Sequence, residues 1–335
     1  MATSLLFPQS EPGPPLVGIA KLAAQGEALA EGHLVDYITL ANRTLLTRCN
    51  SRRVPFAWMI NPYRGCEFGC HYCYARYTHE FMELREPLDF ERKIYVKQQT
   101  STLRRELKKV RPGEDIAIGT ATDPYQPAER KFGITRAILE ELAAHRGLGI
   151  GLVTKSTFVI SDLDLLQKIS EHNRLTICVT ITTLNTSLAR LLEPRAPRPD
   201  LRLQTVKRLV DAGIRAGINC APVLPGITDS PKDLEALARA AASVGAAFVF
   251  ANPLFLKLSA ERVFTPFLEQ HFPHLVPLYK QRYAGSAFLP REYQQRVSSL
   301  MRKYREKWGV GERFMPVGTQ PVAEPPIGNT QLTLF

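Results

Sequence analysis

The sequence lacks the features of a membrane-spanning protein and of a disulfide-rich secreted one. None of its apolar runs reaches the about 18 residues that a transmembrane helix needs. The first residues, MATSLLFPQSEPGPP, have neither the basic start nor the continuous apolar stretch of a signal peptide, so we expect a cytoplasmic protein. Six cysteines in 335 residues are too few for a disulfide scaffold of this size.

Acidic residues are the scarcer charged class, with 32 Asp and Glu against 43 Lys and Arg. The net charge of +11 is concentrated in two stretches. Residues 41–64 contain five arginines and no acid, and residues 279–313 contain nine basic residues against three acidic ones. Aromatic residues interleave the second stretch: Tyr279, Tyr283, Phe288, Tyr293, Tyr304 and Trp308. This mixture suits contact with a nucleic acid; the alternative is a solvated helix face whose rings pack inward.

Short apolar, β-branched runs alternate with amphipathic helical patterns along most of the chain. The predicted strands are 56–60, 115–121, 149–155, 175–183, 215–223 and 246–255. The predicted helices are 16–46, 97–110, 134–145, 160–172, 201–212, 231–244 and a basic helical stretch over 260–308. Repeated strand followed by helix indicates an α/β fold with parallel strands, either a doubly wound sheet or a full or partial barrel. In both, ligands bind at the carboxyl ends of the strands.

Composition divides the chain into four predicted segments. Residues 1–45 read as an N-terminal arm with helices, and residues 46–260 as the α/β domain. A basic helical segment over 261–314 follows, and residues 315–335 read as a flexible tail rich in Pro and Gly.

Three cysteines lie close together directly after the first predicted strand. Cys66, Cys70 and Cys73 have the spacing C-x3-C-x2-C, which indicates a metal site rather than disulfides. Three thiolates can hold a [4Fe-4S] cluster and leave its fourth iron without a protein ligand. The alternative is structural zinc with His71 as the fourth ligand. His71 adjoins Cys70, however, and closed zinc sites usually take their ligands in two separated pairs.

These residues carry a family resemblance. The cysteine motif, followed by an aromatic residue, resembles the radical S-adenosylmethionine (SAM) superfamily, whose fold is a partial (β/α)6 barrel. The surrounding sequence, NPYRGCEFGCHYCYAR with TATDPYQPAE further along, resembles that of spore photoproduct lyase and its uncharacterised bacterial relatives. The resemblance implies that SAM chelates the open iron, that an external donor supplies an electron, and that a 5′-deoxyadenosyl radical abstracts hydrogen from the substrate.

The resemblance also implies roles for single residues. Cys66, Cys70 and Cys73 match the cluster ligands. Tyr72 and Tyr74 flank Cys73 as the family's tyrosines do, and in the lyase such tyrosines take part in radical transfer. The alternative for both rings is packing against the cofactor or the barrel wall.

Four polar residues at the carboxyl ends of predicted strands match contacts to SAM. Thr122 and Asp123 match residues that contact the methionine moiety. Lys155 matches a lysine that pairs with the SAM carboxylate, and Thr180 matches a hydroxyl near the same group. An ammonium suits a carboxylate and oxygen acceptors suit an amine, so these assignments agree chemically.

One position departs from the lyase pattern. Thr120 stands where the lyase has a hydrogen-donating cysteine, and a hydroxyl O–H bond is far too strong to replace a thiol. Repair of spore photoproduct by that route is therefore not expected. Cys178 and Cys220 lie on predicted strands and could face the barrel interior, although free cysteines are commonly buried and inert. Cys49 reads as structural.

The last five residues, QLTLF, resemble the peptide by which bacterial repair and replication proteins bind the β sliding clamp. The residues that match are Gln331, Leu332, Leu334 and Phe335. So short a peptide should bind weakly and act as a tether that raises the local concentration on DNA. The alternative is that the tail docks on its own domain.

The sequence thus predicts a cytoplasmic radical SAM enzyme, related to spore photoproduct lyase, that acts in DNA repair or modification and is tethered to the sliding clamp. Two alternatives remain at this point. One is a DNA-associated iron–sulfur protein that binds or senses redox state without turnover. The other is a radical SAM enzyme whose substrate is a small molecule or a protein.

Overall fold

The computed structural model describes residues 16–32, 34–51 and 54–312. The predicted clamp-binding residues Gln331, Leu332, Leu334 and Phe335 lie outside these ranges. The strands are β1 (Ala28–Gly32), β2 (Val35–Thr39), β3 (Leu46–Arg48), β4 (Trp58–Ile60), β5 (Tyr63–Arg64), β6 (Lys93–Val96), β7 (Asp115–Ile118), β8 (Gly149–Thr154), β9 (Arg174–Thr180), β10 (Ala216–Val223) and β11 (Val249–Pro253).

The α-helices are α1 (Gly18–Ala24), α2 (Tyr77–Glu80), α3 (Asp89–Arg92), α4 (Leu103–Glu106), α5 (Glu129–Phe132), α6 (Ile134–Ala143), α7 (Leu163–His172), α8 (Thr186–Leu192), α9 (Pro199–Asp211), α10 (Pro231–Ser243), α11 (Leu258–His271), α12 (Val276–Arg282) and α13 (Arg291–Trp308). Short 3-10 helices cover Tyr74–Arg76, Leu107–Lys109, Phe158–Asp162 and Pro273–Leu275. None of these helices is both long enough and apolar enough to cross a bilayer.

The central sheet has the strand order β11-β10-β9-β8-β7-β4-β3. Neighbours from β4 to β11 pair in parallel, and β3 pairs antiparallel with β4. Within the described ranges β11 and β3 are the edges, so this sheet is open. The six predicted strands are all present and neighbour each other in chain order, which confirms the predicted α/β fold with repeated strand and helix. Their carboxyl ends therefore meet at one edge of the sheet.

The prediction of helix over residues 16–46 is wrong for most of that segment. Only α1 is helical there, and β1 and β2 join β6 and β5 in a second sheet of order β1-β2-β6-β5. In β2, Val35 and Tyr37 are buried while Asp36 between them is exposed, which is the two-residue period of a strand. Pairing with β6 thus prevails over the helix propensity of the Ala-rich sequence.

Alternation along the strands decides which side chains face the helices. Ile177 of β9 packs with Leu166 of α7 in the main hydrophobic core. Val179 belongs to the same core. Cys178 and Thr180 alternate with Ile177 and Val179 along the strand, so their side chains lie on the opposite, inner face. Cys220 of β10 belongs to the main core itself. The expectation that Cys220 could face the interior is therefore wrong.

The C-terminal basic segment is helical as predicted, but it forms α11, α12 and α13 rather than one helix. Its aromatic rings pack inward: Tyr279, Tyr293 and Tyr304 are 5%, 8% and 6% exposed. Phe288 stacks on Phe255 at 4.4 Å between ring centroids. These four rings therefore help to anchor the helices on the domain, and the predicted contact of the segment with a nucleic acid stays a prediction.

Candidate active site at the cysteine loop

The cysteine motif forms a tight loop between β5 and the 3-10 helix Tyr74–Arg76. Gly65 and Gly69 have φ values of +85° and +63°, a region that favours glycine. A Cβ atom on Gly65 would lie 2.8 Å from the carbonyl oxygens of both Phe90 and Lys93. The chain can therefore pass this close to α3 and β6 only with glycine at position 65.

The three thiols lie in a largely water-free environment. Cys66 and Cys70 are 8% and 7% exposed, and Cys73 is half-buried. Burial raises the pKa of the Cys66 thiol well above its usual range, and Asp123 and the other two cysteines raise it further. Burial likewise raises the pKa of Cys70 to about 12. Since a thiol binds metal as thiolate, a metal group held by these thiols would have to replace their protons.

The same geometry bears on the zinc alternative. Among the described residues, no group of three His, Cys, Asp or Glu side chains is placed to hold a single metal ion. The His71 ring instead stacks on Phe267 of α11, with 4.5 Å between ring centroids. His71 is therefore a packing residue and is not placed as the fourth ligand that the zinc alternative requires.

Glu67 and Gln126 secure the N-terminal half of the loop. The Glu67 carboxylate accepts hydrogen bonds from the Tyr37 hydroxyl at 3.0 Å and from the Ala128 backbone N–H at 2.7 Å. Its own backbone N–H donates to Gln126 Oε1 at 2.9 Å. These contacts tie the loop to the second sheet and to the segment after β7.

Arg76 secures the C-terminal half of the loop. Its Nη2 donates to the Cys70 carbonyl at 3.1 Å, and its Nη1 pairs with Glu91 Oε2 at 2.6 Å. The two side chains are only 3% and 7% exposed. Because both charges are buried, the pair fixes the loop to α3 with little freedom of movement.

The Thr122 hydroxyl is hydrogen-bonded to the cysteine loop. Its hydroxyl donates to the Gly65 carbonyl at 2.6 Å and accepts from Gln126 Nε2 at 2.9 Å. With a donor and an acceptor both satisfied inside the protein, Thr122 positions the loop. Its predicted contact to SAM stays a prediction.

Asp123 joins the ends of β7 and β8. Its Oδ1 accepts from the Tyr125 backbone N–H at 2.9 Å and from the Thr154 hydroxyl at 2.6 Å. Its Oδ2 accepts from the Lys155 backbone N–H at 2.7 Å. Burial raises the pKa of Asp123, although these hydrogen bonds oppose that effect. A carboxylate oxygen has two lone pairs, so Oδ2 retains acceptor capacity for a further donor.

Lys155 lies beside the cysteine loop. Its Nζ is 5.7 Å from the centroid of the Tyr72 ring. Burial by itself lowers the pKa of the ammonium, but Cys70 and Glu193 raise it, and the pKa lies above its usual value overall. The structure thus brings the predicted carboxylate-binding cation together with two predicted cluster ligands, Cys70 and Cys73, although three strands and five α-helices lie between them in sequence.

Tyr72 is hydrogen-bonded to a buried ion pair that the sequence did not predict. Its hydroxyl bonds to Glu193 and lies 3.1 Å from the Thr182 hydroxyl. Glu193 pairs with Arg202 at 2.5 Å, and each of these two side chains is 1% exposed. Arg202 also donates to the Thr180 carbonyl at 3.0 Å. This network connects the loop with the ends of β9 and α9.

The two tyrosines differ in access. Tyr72 is 4% exposed, whereas Tyr74 is 38% exposed. The Tyr74 hydroxyl donates to the Thr120 carbonyl, and its ring is 6.1 Å from that of Phe255. The Thr120 hydroxyl in turn lies 3.1 Å from Asn61 Nδ2. The accessible tyrosine is therefore the one next to the position that departs from the lyase pattern.

Sequence reasoning missed Glu67, Arg76, Glu193 and Arg202. Charged residues at positions 67 and 76, within an apolar cysteine loop, were a signal that could have been used. The Glu193–Arg202 pair has no such signal, because its members meet only through the fold.

Comparison with known proteins gives a family match and several relatives. Residues 60–240 match the family model described as Radical SAM superfamily. The uncharacterized protein Rv2578c of Mycobacterium tuberculosis is 34% identical over 76% of this chain and 77% of its own length. The uncharacterized protein MJ0683 of Methanocaldococcus jannaschii is 28% identical over 72% of this chain and 86% of its own length.

A solved structure is also similar. It is a double mutant of spore photoproduct lyase with bound AdoMet and dinucleoside spore photoproduct. The TM-score is 0.63 at 18% sequence identity, over 81% of this chain and 79% of that one. At this identity the likeness concerns the fold.

Proposed function

This chain belongs to the radical SAM superfamily, and from that premise we propose that Cys66, Cys70 and Cys73 hold its cluster and that it acts on DNA in repair or modification. Radical SAM enzymes use a [4Fe-4S] cluster and S-adenosylmethionine. When bound, this pair supplies a 5′-deoxyadenosyl radical after one-electron reduction by an external donor. We place the protein in the cytoplasm, as its sequence predicts.

The observation that carries the proposal is the meeting of Lys155, just after the carboxyl end of β8, with the Cys70 and Cys73 thiols of the loop. In our proposal Lys155 binds the SAM carboxylate, and Asp123 Oδ2 accepts a hydrogen bond from the SAM amine. Thr180, on the inner face of β9, lies on the same side of the sheet. Burial of the thiols excludes water from the reacting group.

Tyr74 is the tyrosine that we propose to interact with a substrate radical. Its ring is the exposed one of the two, and it lies beside Thr120, where the family's hydrogen donor is replaced. Tyr72 is held by Glu193 and Thr182 and has little contact with solvent. We assign Tyr72 to positioning Lys155, whose ammonium lies near its ring.

The DNA substrate rests on two supports. The fold is similar to that of a lyase whose structure holds a dinucleoside lesion. The C-terminal segment also presents exposed cations such as Lys280, Arg302 and Lys303, which suit phosphate contacts. A base in duplex DNA would have to leave the stack to reach the cysteine loop. We further propose that the tail binds the sliding clamp through Gln331 to Phe335, on the sequence resemblance alone.

The test is anaerobic reconstitution followed by dithionite and SAM. We expect release of 5′-deoxyadenosine, and transfer of deuterium into it from a labelled DNA substrate. A reduced, SAM-bound protein that releases none would favour a sensor without turnover. Release without deuterium transfer from any DNA lesion would favour a small-molecule or protein substrate.

The DNA and clamp contacts are tested separately. DNA affinity should fall steeply with salt, and affinity that is flat across salt would refute phosphate contact. Deletion of residues 331–335 should abolish clamp pull-down and leave cluster absorbance intact. Clamp binding that survives this deletion would refute the tether.

A further inference from the structure

A cavity lies at the N-terminal end of the cysteine loop and is lined by none of the three thiols. It has a volume of about 680 Å³ and is bounded by α1, by residues 40–44 and 47, and by Arg64 and Lys97 at the ends of β5 and β6. This volume is in the range of small-molecule sites, which is about 300–1,000 Å³. It shares no residue with the groups assigned above to the cluster, to SAM or to the substrate radical.

The side chains around this cavity are of one charge sign. Four cations line it, namely Lys21, Arg43, Arg64 and Lys97, together with the hydroxyl residues Thr44 and Thr47. None of its described lining residues is acidic. We call it the basic cavity.

Two of the cations are at least half-buried and have no acid paired with them in the described ranges. Lys97 is only 8% exposed, and its ammonium has no hydrogen bond or ion pair with any residue in the described ranges. The buried Nε of Arg64 also has no hydrogen-bond acceptor there. Buried polar groups in folded proteins are normally paired, because an unpaired buried charge is costly. Two adjacent cations in this state indicate that an anion completes the site.

Glu106 is the acid whose charge acts on Lys97, and it offsets the effect of burial only in part. Its Oε2 accepts the backbone N–H groups of Leu45 and Leu46 at 3.0 and 2.7 Å, and its buried Oε1 has no hydrogen-bond partner in the described ranges. Burial, and then the charge of Arg64, lower the pKa of Lys97 to about 7 in spite of Glu106. An anion bound between Lys97 and Arg64 would restore the charged ammonium.

We propose that the basic cavity binds a phosphate ester, with Lys97 and Arg64 holding the phosphoryl oxygens and Arg43 at the rim. Guanidinium groups match phosphate with paired hydrogen bonds, and an ammonium adds a compact positive charge. The volume leaves room for an organic group beside the phosphate. The ester can come from a free mononucleotide or from a nucleic-acid strand, and the inference does not depend on the radical chemistry proposed above.

The experiment measures binding to the full-length, anaerobically prepared protein by calorimetry. Three probes are used: inorganic phosphate, thymidine 5′-monophosphate and a short oligothymidylate. Lys97→Met keeps the hydrocarbon chain and removes the charge, and Arg43→Gln changes an exposed side chain that cannot disturb the core. Lys232→Gln on α10 is the matched control, because Lys232 is exposed and lies outside the cavity.

We expect at least one ester probe to bind, and Lys97→Met to weaken it at least tenfold. Arg43→Gln should weaken it severalfold, and Lys232→Gln should leave it unchanged. If the substitutions weaken mononucleotide binding more than oligonucleotide binding, the ligand is a free ester. If they weaken oligonucleotide binding more, the ligand is a nucleic-acid strand. The proposal is overturned if neither ester binds the wild type, or if both variants bind as well as the control does.

Discussion

The buried pair of Glu193 and Arg202 gives the prediction that follows most directly from the structure. Glu193→Gln keeps the size of the side chain and removes the negative charge opposite Arg202. Both side chains are 1% exposed, so the guanidinium would remain buried without its counter-ion. Breaking such a pair costs about 3–5 kcal/mol, whereas an exposed pair contributes about 0–1 kcal/mol.

The chain supplies a matched control close by. Asp200 pairs with Arg198 at 2.6 Å, but these side chains are 46% and 54% exposed. We expect Asp200→Asn to change the free energy of unfolding by no more than about 1 kcal/mol. The assay is urea unfolding of the cluster-free protein, followed by circular dichroism and compared at equal m-values.

A double variant separates charge from shape. Adding Arg202→Met to Glu193→Gln removes the stranded cation, so part of the lost stability should return. The reasoning is refuted if Glu193→Gln lowers the free energy of unfolding no more than Asp200→Asn does. It is also refuted if adding Arg202→Met lowers that free energy further, by as much as an independent substitution would.

Three further predictions concern the site and its surroundings. Lys155→Met should weaken SAM binding about 10- to 100-fold in equilibrium dialysis, because a hydrogen bond to a charged group contributes about 1.5–3 kcal/mol; unchanged affinity would refute the assigned role. Cys66→Ala should lose the visible absorbance of the reconstituted cluster while Cys220→Ala, buried in the core, retains it; equal spectra would contradict the assignment. The pKa of Glu114 is lowered from 4.5 to about 2, first by the hydrogen bond from Trp58, so its stabilising effect is present above about pH 4.5 and is lost as the pH falls toward 2. The difference in thermal midpoint between wild type and Glu114→Gln should therefore narrow from pH 6 to pH 3, and a constant difference would contradict it.

The parallel sheet could be predicted from the sequence because each strand carries a local signal. Apolar, β-branched runs separated by amphipathic helices specify both the element type and the parallel arrangement. The edge where Lys155 and Asp123 meet follows from that arrangement. The cysteine spacing is local as well, which is why a metal site could be predicted there from the sequence alone.

The remaining features depend on contacts between distant segments. Residues 28–39 form strands because β6 is available to pair with them, and their own propensity does not show this. Glu193 is identified as a site residue only once Arg202 and Tyr72 lie against it. The burial of Tyr279 and Tyr304 likewise depends on helix packing, so charge and aromatic content alone could not distinguish a nucleic-acid surface from an anchored helix.

The most direct test of the central claim is the metal and sulfide content of protein purified without oxygen. The account predicts about four iron and four acid-labile sulfide per chain after reconstitution, with an electron paramagnetic resonance signal of the reduced protein that changes when SAM is added. Stoichiometric zinc, or iron without inorganic sulfide, would contradict it.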